Sequence, residues 1–119
     1  MVLVDTSIWV DHFNHDDSHL EYLLNENEVA THPFIIGELA CGNIKNRKLI
    51  FSLLHALPSI PEISKEEFFL FLDHHRLFGT GLGYVDVHLL ASALISHCMI
   101  YTRDKSLLSS ATRLKIAYE

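Results

Sequence analysis

The sequence predicts an α/β sandwich built on a mainly parallel sheet. Short apolar runs alternate with longer amphipathic segments along the chain, and parallel neighbours in a sheet need such helical crossovers. The 119 residues fit one domain, 1–119, long enough to hide roughly two-thirds of its unfolded surface without disulfide or metal staples. No internal repeat or low-complexity stretch interrupts the pattern.

Val2 to Val4 is a short apolar run ending in Asp5-Thr6-Ser7. Ile8, Trp9 and Phe13 then mark one helical face, with Thr6 or Ser7 placed to cap it. A second helix is expected over 17–24, and 28–32 reads as a short strand stopped by Pro33, a residue suited to the first turn of the next helix. That helix, 34–41, is apolar nearly all round except for Glu38, and Gly42-Asn43 ends it. Over 47–57, Leu49, Ile50, Leu53, Leu54 and Leu57 recur at helical spacing as one apolar face. Pro58 and Pro61 bracket an extended piece, and Ser64-Lys65-Glu66-Glu67 forms a capping box for a helix through Phe68, Phe69, Phe71, Leu72 and Leu77. Gly79, Gly81 and Gly83 break that helix. A helix over 85–97, a strand over 98–101, a helix opened by Thr102-Arg103-Asp104 and a final strand over 115–118 complete the order.

A composition of 49% hydrophobic and 20% charged residues is that of a globular chain, and no apolar run of about 18 residues is present to span a bilayer. Met1 to Asp5 reaches an acid before a signal-peptide hydrophobic region can form, so the cytoplasm is the expected compartment, with no membrane partner. Cys41 and Cys98 lack CxxC spacing and read as reduced, buried thiols. The net charge of −6 excludes a broad basic surface for nucleic acid, because phosphate neutralisation by Lys and Arg dominates nonspecific affinity. Divalent cations held by clustered acids would reverse the sign locally.

Four acids stand where α/β folds place their sites, beyond the carboxyl ends of strands. Asp5 closes the first strand, where it either faces a crevice or caps the following helix. Glu38 has almost no polar company on its helix, and a buried acid needs a counter-charge, a metal or hydrogen bonds. Asp86 opens an apolar helix, where the dipole alone favours a carboxylate. Asp104 follows a strand and precedes a helix, a common capping position. Carboxylates packed together would take up protons unless a cation compensates them, and Mg²⁺ or Mn²⁺ with oxygen ligands does so. The chemistry implied is metal-assisted phosphodiester hydrolysis.

With those residues located, the sequence resembles the PIN-domain ribonucleases, most closely the VapC-type toxins of bacterial toxin-antitoxin pairs. The resemblance covers essentially the whole chain and is carried by Val2 to Asp11, His32 to Leu39, Gly83 to Ala93 and Tyr101 to Asp104. It implies a three-layer α/β/α fold and an acidic quartet at Asp5, Glu38, Asp86 and Asp104 that binds Mg²⁺ or Mn²⁺. It implies endonucleolytic RNA cleavage leaving a 5′-phosphate and a 3′-hydroxyl, a VapB-type antitoxin partner and a homodimer. On this reading Asp5 and Asp86 are the principal ligands, Glu38 and Asp104 complete the shell, and Ser7 and Thr102 orient water.

Lys45, Arg47, Lys48, Arg76 and Arg103 are the candidates for RNA phosphate contacts, although a solvated helix face would also explain most of them. None of the nine histidines falls into HExxH or finger spacing, which argues against a histidine-bound metal. The three glycines follow a helix rather than a strand, so a flexible loop beside the site is expected in place of a dinucleotide cradle. Trp9 and the phenylalanines are expected in the core. Two other readings stand beside the nuclease. A receiver-type Mg²⁺-binding signalling domain would want paired acids after the first strand and a strand-end Lys, and an interaction module would keep the acids only as caps.

Overall fold

In the computed structural model, which describes residues 1–119, β1 (Val2–Val4) leads into α1 (Thr6–His15) and α2 (Ser18–Asn25). β2 (Val29–Ala30), α3 (Pro33–Ala40), α4 (Arg47–Ala56), α5 (Lys65–His74), α6 (Tyr84–Ile95), β3 (Met99–Tyr101) and α7 (Lys105–Arg113) follow. The strands pair in the order β2-β1-β3, all parallel. Parallel bridges Thr31↔Ser59 and Ile100↔Ala117 widen the sheet by one short segment on each side. Helices cover both faces, giving an α/β/α sandwich. Leu3, Val4, Ala30 and Ile100 are wholly buried, as a doubly covered parallel sheet requires.

This topology fixes where a site can form. The chain leaves β1 to build β2 on one side and later returns past β1 to build β3 on the other. The order therefore reverses at β1, with Asp5 at its carboxyl end. The register Val4↔Tyr101 brings Asp5 alongside Thr102, and the Asp5 N–H donates to the Tyr101 carbonyl at 2.9 Å. α6 must run back along the sheet before β3 starts, so its N-terminal turn, carrying Asp86, lies at the same edge.

Local chemistry explains most element ends. Ser64 and Glu67 form the expected reciprocal capping box at 3.1 and 2.8 Å, Pro33 occupies the first turn of α3, and Asp17 caps α2 through the Leu20 N–H. The expected strand over 28–32 pairs with β1 only at Val29–Ala30, because Thr31 turns its bonds outward to Pro58 and Ile60. The expected 115–118 strand is a single bridge, held by Ile100 N–H to Ile116 and Tyr118 N–H to Ile100. The apolar face of α4 is only partly covered: Leu54 is buried, whereas Leu49 and Leu53 are 60% and 57% exposed. On α5, Phe68 is buried and Phe69 and Leu70 face outward. Trp9 is in the core as expected, but of the phenylalanines only Phe68 is fully buried, and Phe69 and Phe78 lie exposed, contrary to that expectation. Cys98 is buried, but Cys41 is exposed at the end of α3, correcting its assignment to the interior. No helix is long and apolar enough to cross a membrane.

Two histidines enter the core. His32 Nδ1 accepts the Phe34 N–H at 3.0 Å and so caps α3, which leaves the proton on Nε2 to donate to Ser92 Oγ at 3.1 Å. His88 packs against Phe34, Phe68 and Tyr84 with neither ring nitrogen partnered. Burial, reinforced by repulsion from His88, pushes the His32 pKa down to about 4. The unfolded chain protonates His32 near 6.5, so between these values it binds the proton that the native state refuses. The native advantage is complete above about pH 6.5 and is lost as pH falls toward 4. Denaturant melts should show His32 costing about 2 kcal/mol of stability between pH 7.5 and pH 5. His32→Gln should flatten that slope, and an unchanged slope would show that His32 does not carry it.

Candidate functional site

Asp5 is 7% exposed, and its Oδ2 accepts hydrogen bonds from Thr102 Oγ1 at 2.7 Å and Ser7 Oγ at 3.0 Å. No protein group bonds Oδ1. Both donors are neutral hydroxyls, and no Lys or Arg pairs with Asp5. Ser7 also accepts the Arg103 N–H at 3.1 Å, and Thr102 accepts the Asp104 N–H at 3.0 Å, so the turn after β3 is folded onto the turn after β1. The expected hydroxyl cap of α1 is absent. Asp5 occupies the N-cap position without a side-chain capping bond, and Ser7 turns its hydroxyl to Asp5 instead.

Asp86 sits in the first turn of α6, where Oδ2 accepts the Gly83 N–H at 3.1 Å. Desolvation raises its pKa, and Asp104 and Asp5 raise it further against the lowering effect of the Gly83 bond. Asp86 is therefore close enough to Asp5 and Asp104 to feel their charge. Asp104 caps α7 through Oδ1 to the Leu107 N–H at 2.9 Å. Glu38 reaches from α3 to accept Thr6 Oγ1 at 2.9 Å, one residue from Asp5. It is exposed, not buried as its apolar neighbours suggested, because α3 turns Gly37 and Glu38 to solvent while Ile35 and Leu39 enter the core.

The donor set fits a hard divalent cation, being carboxylate and hydroxyl oxygen without sulfur or imidazole. No three of the four acids bring ligand atoms within 4.8 Å of one another. A cluster that does so is His12, Asp16 and Glu21, which is able to coordinate a divalent metal. His12 Nδ1 accepts the Asp17 N–H at 2.9 Å, so ligation through Nε2 would move the ring proton to Nδ1 and break that bond. The cluster matches neither HExxH nor finger spacing and so does not stand out in the sequence by those patterns. The i, i+4 spacing of His12 and Asp16 at the end of α1 was the available signal. His12 and Asp16 line a groove of about 690 Å³ with Thr6, Phe13, Glu38 and Lys45, which joins the cluster to the Glu38 side of the acidic edge.

The predicted cations are placed unequally. Arg103 pairs with Asp11 at 3.0 Å and Asp17 at 2.6 Å. Arg47 donates to the carbonyls of Ala40 and Gly42 and lies over Phe51. Lys45 lines the groove, while Lys48 and Arg76 are exposed.

Residues 2–112 match the family described as the PIN domain. The chain belongs to the PIN-domain family. It is 40% identical to Ribonuclease VapC32 of Mycobacterium tuberculosis in strains CDC 1551 / Oshkosh and ATCC 25618 / H37Rv, over 98% of this chain and 95% of each relative. Among solved structures it is similar to FitAcB from Neisseria gonorrhoeae, with a TM-score of 0.66 and 18% identity over 98% of this chain and 95% of that one. It is also similar to PAE2754 from Pyrobaculum aerophilum, with a TM-score of 0.65 and 16% identity over 98% and 87%. These two likenesses bear on the fold. Membership of this PIN-domain family sets aside the receiver-type alternative.

Without a cation, ionised Asp86 destabilises the fold, since a raised native pKa means the native state prefers the protonated form. Asp86→Asn keeps an acceptor for Gly83 and removes the charge. In metal-free buffer near pH 7.5 its Tm should exceed the parent's. Mg²⁺ or Mn²⁺ should stabilise the parent by about 2.7 kcal/mol at a hundredfold excess over Kd, and the variant far less. Equal cation responses in the two proteins would remove Asp86 from the ligand set.

Proposed function

We propose that this chain is a metal-dependent endoribonuclease acting as the toxin of a toxin-antitoxin pair, with Asp5, Glu38, Asp86 and Asp104 as its catalytic and Mg²⁺- or Mn²⁺-binding residues. The observation that carries this reading is the convergence of Asp5, Asp86 and Asp104 at the switch point of the sheet with no Lys or Arg paired to them. Identity of 40% to Ribonuclease VapC32 over nearly the whole chain supports RNA as the substrate class.

Asp5 and Asp86 are the principal ligands on this reading, and in each, as in Asp104 and Glu38, one carboxylate oxygen is free while the other is tied to the fold. Glu38 and Asp104 complete the shell or hold its waters. Bound there, a divalent cation supplies Lewis acidity, an activated water and stabilisation of charge on the phosphate. Ser7 and Thr102 fix the Asp5 carboxylate by its Oδ2 and set the direction of its free oxygen. Thr6 does the same for Glu38. The antitoxin would be a VapB-type protein, and a second copy of the chain the homodimer partner. The exposed apolar side chains of α4 and α5, Leu49, Leu53, Phe69 and Leu70, are surface available to such contacts.

Asp5→Asn and Asp86→Asn should each abolish Mg²⁺-dependent cleavage of end-labelled RNA, with loss of at least about a hundredfold in kcat, the scale seen when an electrostatic stabiliser is removed. Products should carry 5′-phosphate and 3′-hydroxyl ends, scored by ligation and phosphatase sensitivity. Cleavage persisting in rigorously purified Asp86→Asn protein, or in EDTA, would refute the assignment.

A further inference from the structure

A second cleft, of about 290 Å³, opens between α7 and the glycine loop and is lined by Thr80, Lys105, Ser106, Ser109, Ser110 and Arg113. Its five α7 residues fall on one helical stripe, at i, i+1, i+4, i+5 and i+8, about 12 Å long. The lining is two cations and four hydroxyls, with no carboxylate and no aliphatic side chain. That is unusual in a chain of net charge −6. Lys105 has no salt-bridge partner; the Thr80 hydroxyl donates to the Leu77 carbonyl, whereas the hydroxyls of Ser106, Ser109 and Ser110 make no hydrogen bond to protein and remain free to donate. Arg113 is braced by donating to the His75 carbonyl at 2.8 Å, which leaves further guanidinium N–H groups to offer. Gly81, at φ +87, lets the loop close on this stripe, since a Cβ there would sit 3.2 Å from Ser106 Oγ.

We infer that this cleft binds a phosphate group of the RNA strand, holding the backbone beside the acidic edge. Hydroxyl and ammonium donors without a competing acceptor select an oxyanion. A volume of about 290 Å³ admits a phosphate with its sugar. The place of the cleft argues for the substrate strand, because Lys105 directly follows Asp104. The inference rests on the nuclease reading for the identity of its ligand. It also supplies the local grip that the overall charge denies, through residues other than Arg103 and Arg47, which the fold employs elsewhere.

The test is binding without divalent metal, in EDTA, so that catalysis does not enter. A short single-stranded oligoribonucleotide should shift the backbone amide NMR signals of Thr80, Ser106 and Ser109 in the full chain, and inorganic phosphate should shift the same signals only at much higher concentration. Lys105→Gln should weaken oligoribonucleotide binding about tenfold, the loss of one charge-assisted hydrogen bond. It should lower the slope of log affinity against log salt by about 0.7. Lys105→Arg should retain both. In cleavage assays Lys105→Gln should raise KM and leave kcat unchanged. RNA that leaves these amides unmoved, inorganic phosphate that moves them where RNA does not, or a Lys105→Gln protein with unaltered affinity and slope would each overturn the inference. A parent protein that binds as described yet cleaves no RNA would uphold the cleft and refute the nuclease reading instead.

Discussion

The hydrogen bond from Thr102 Oγ1 to Asp5 Oδ2, at 2.7 Å, ties the ends of β1 and β3 into one acidic edge. It exists because β1 and β3 are in parallel register at Val4↔Tyr101, which sets residue 5 beside residue 102. A buried carboxylate without partners would cost several kcal/mol or take up a proton. Thr102 and Ser7 supply two neutral donors to Oδ2 and leave Oδ1 without a protein partner. The backbone N–H groups of Arg103 and Asp104 then dock on the same two hydroxyls, which positions the N-terminus of α7 and with it Asp104.

Acids in this protein serve two separate ends. Asp11 and Asp17 are neutralised by Arg103, a cross-link between the β3–α7 turn and the α1–α2 region. Asp5, Asp86 and Asp104 have no such cation, and the pKa of Asp86 is raised first by its burial and then by repulsion from Asp104 and Asp5. Sequence reading set capping and ligation against each other as alternatives for Asp86 and Asp104. The structure shows that the capping bond occupies one carboxylate oxygen in each, Asp86 Oδ2 and Asp104 Oδ1, so capping orients the group without consuming it. The cations are divided in the same way. Arg47 and Arg103 are absorbed by the fold, whereas Lys45 and Lys105 face open clefts on either side of the acidic edge.

The sequence by itself determined the alternation of strands and helices, the parallel sheet and the capping box at Ser64, and it singled out the four acids as candidates. These are consequences of short-range periodicity, proline and capping chemistry, or of motifs that stay together along the chain. Tertiary structure decided which apolar and polar faces are covered, because coverage depends on what packs against a helix. Glu38 is exposed despite its apolar neighbours, Leu49 and Leu53 face outward despite helical spacing, and His32 and His88 are interior despite their polarity. It also decided which charges cancel. The pairing of Arg103 with Asp11 and Asp17, the meeting of His12, Asp16 and Glu21, and the stripe from Lys105 to Arg113 facing Thr80 join residues through helix geometry or across distant segments, and only folding fixes those distances.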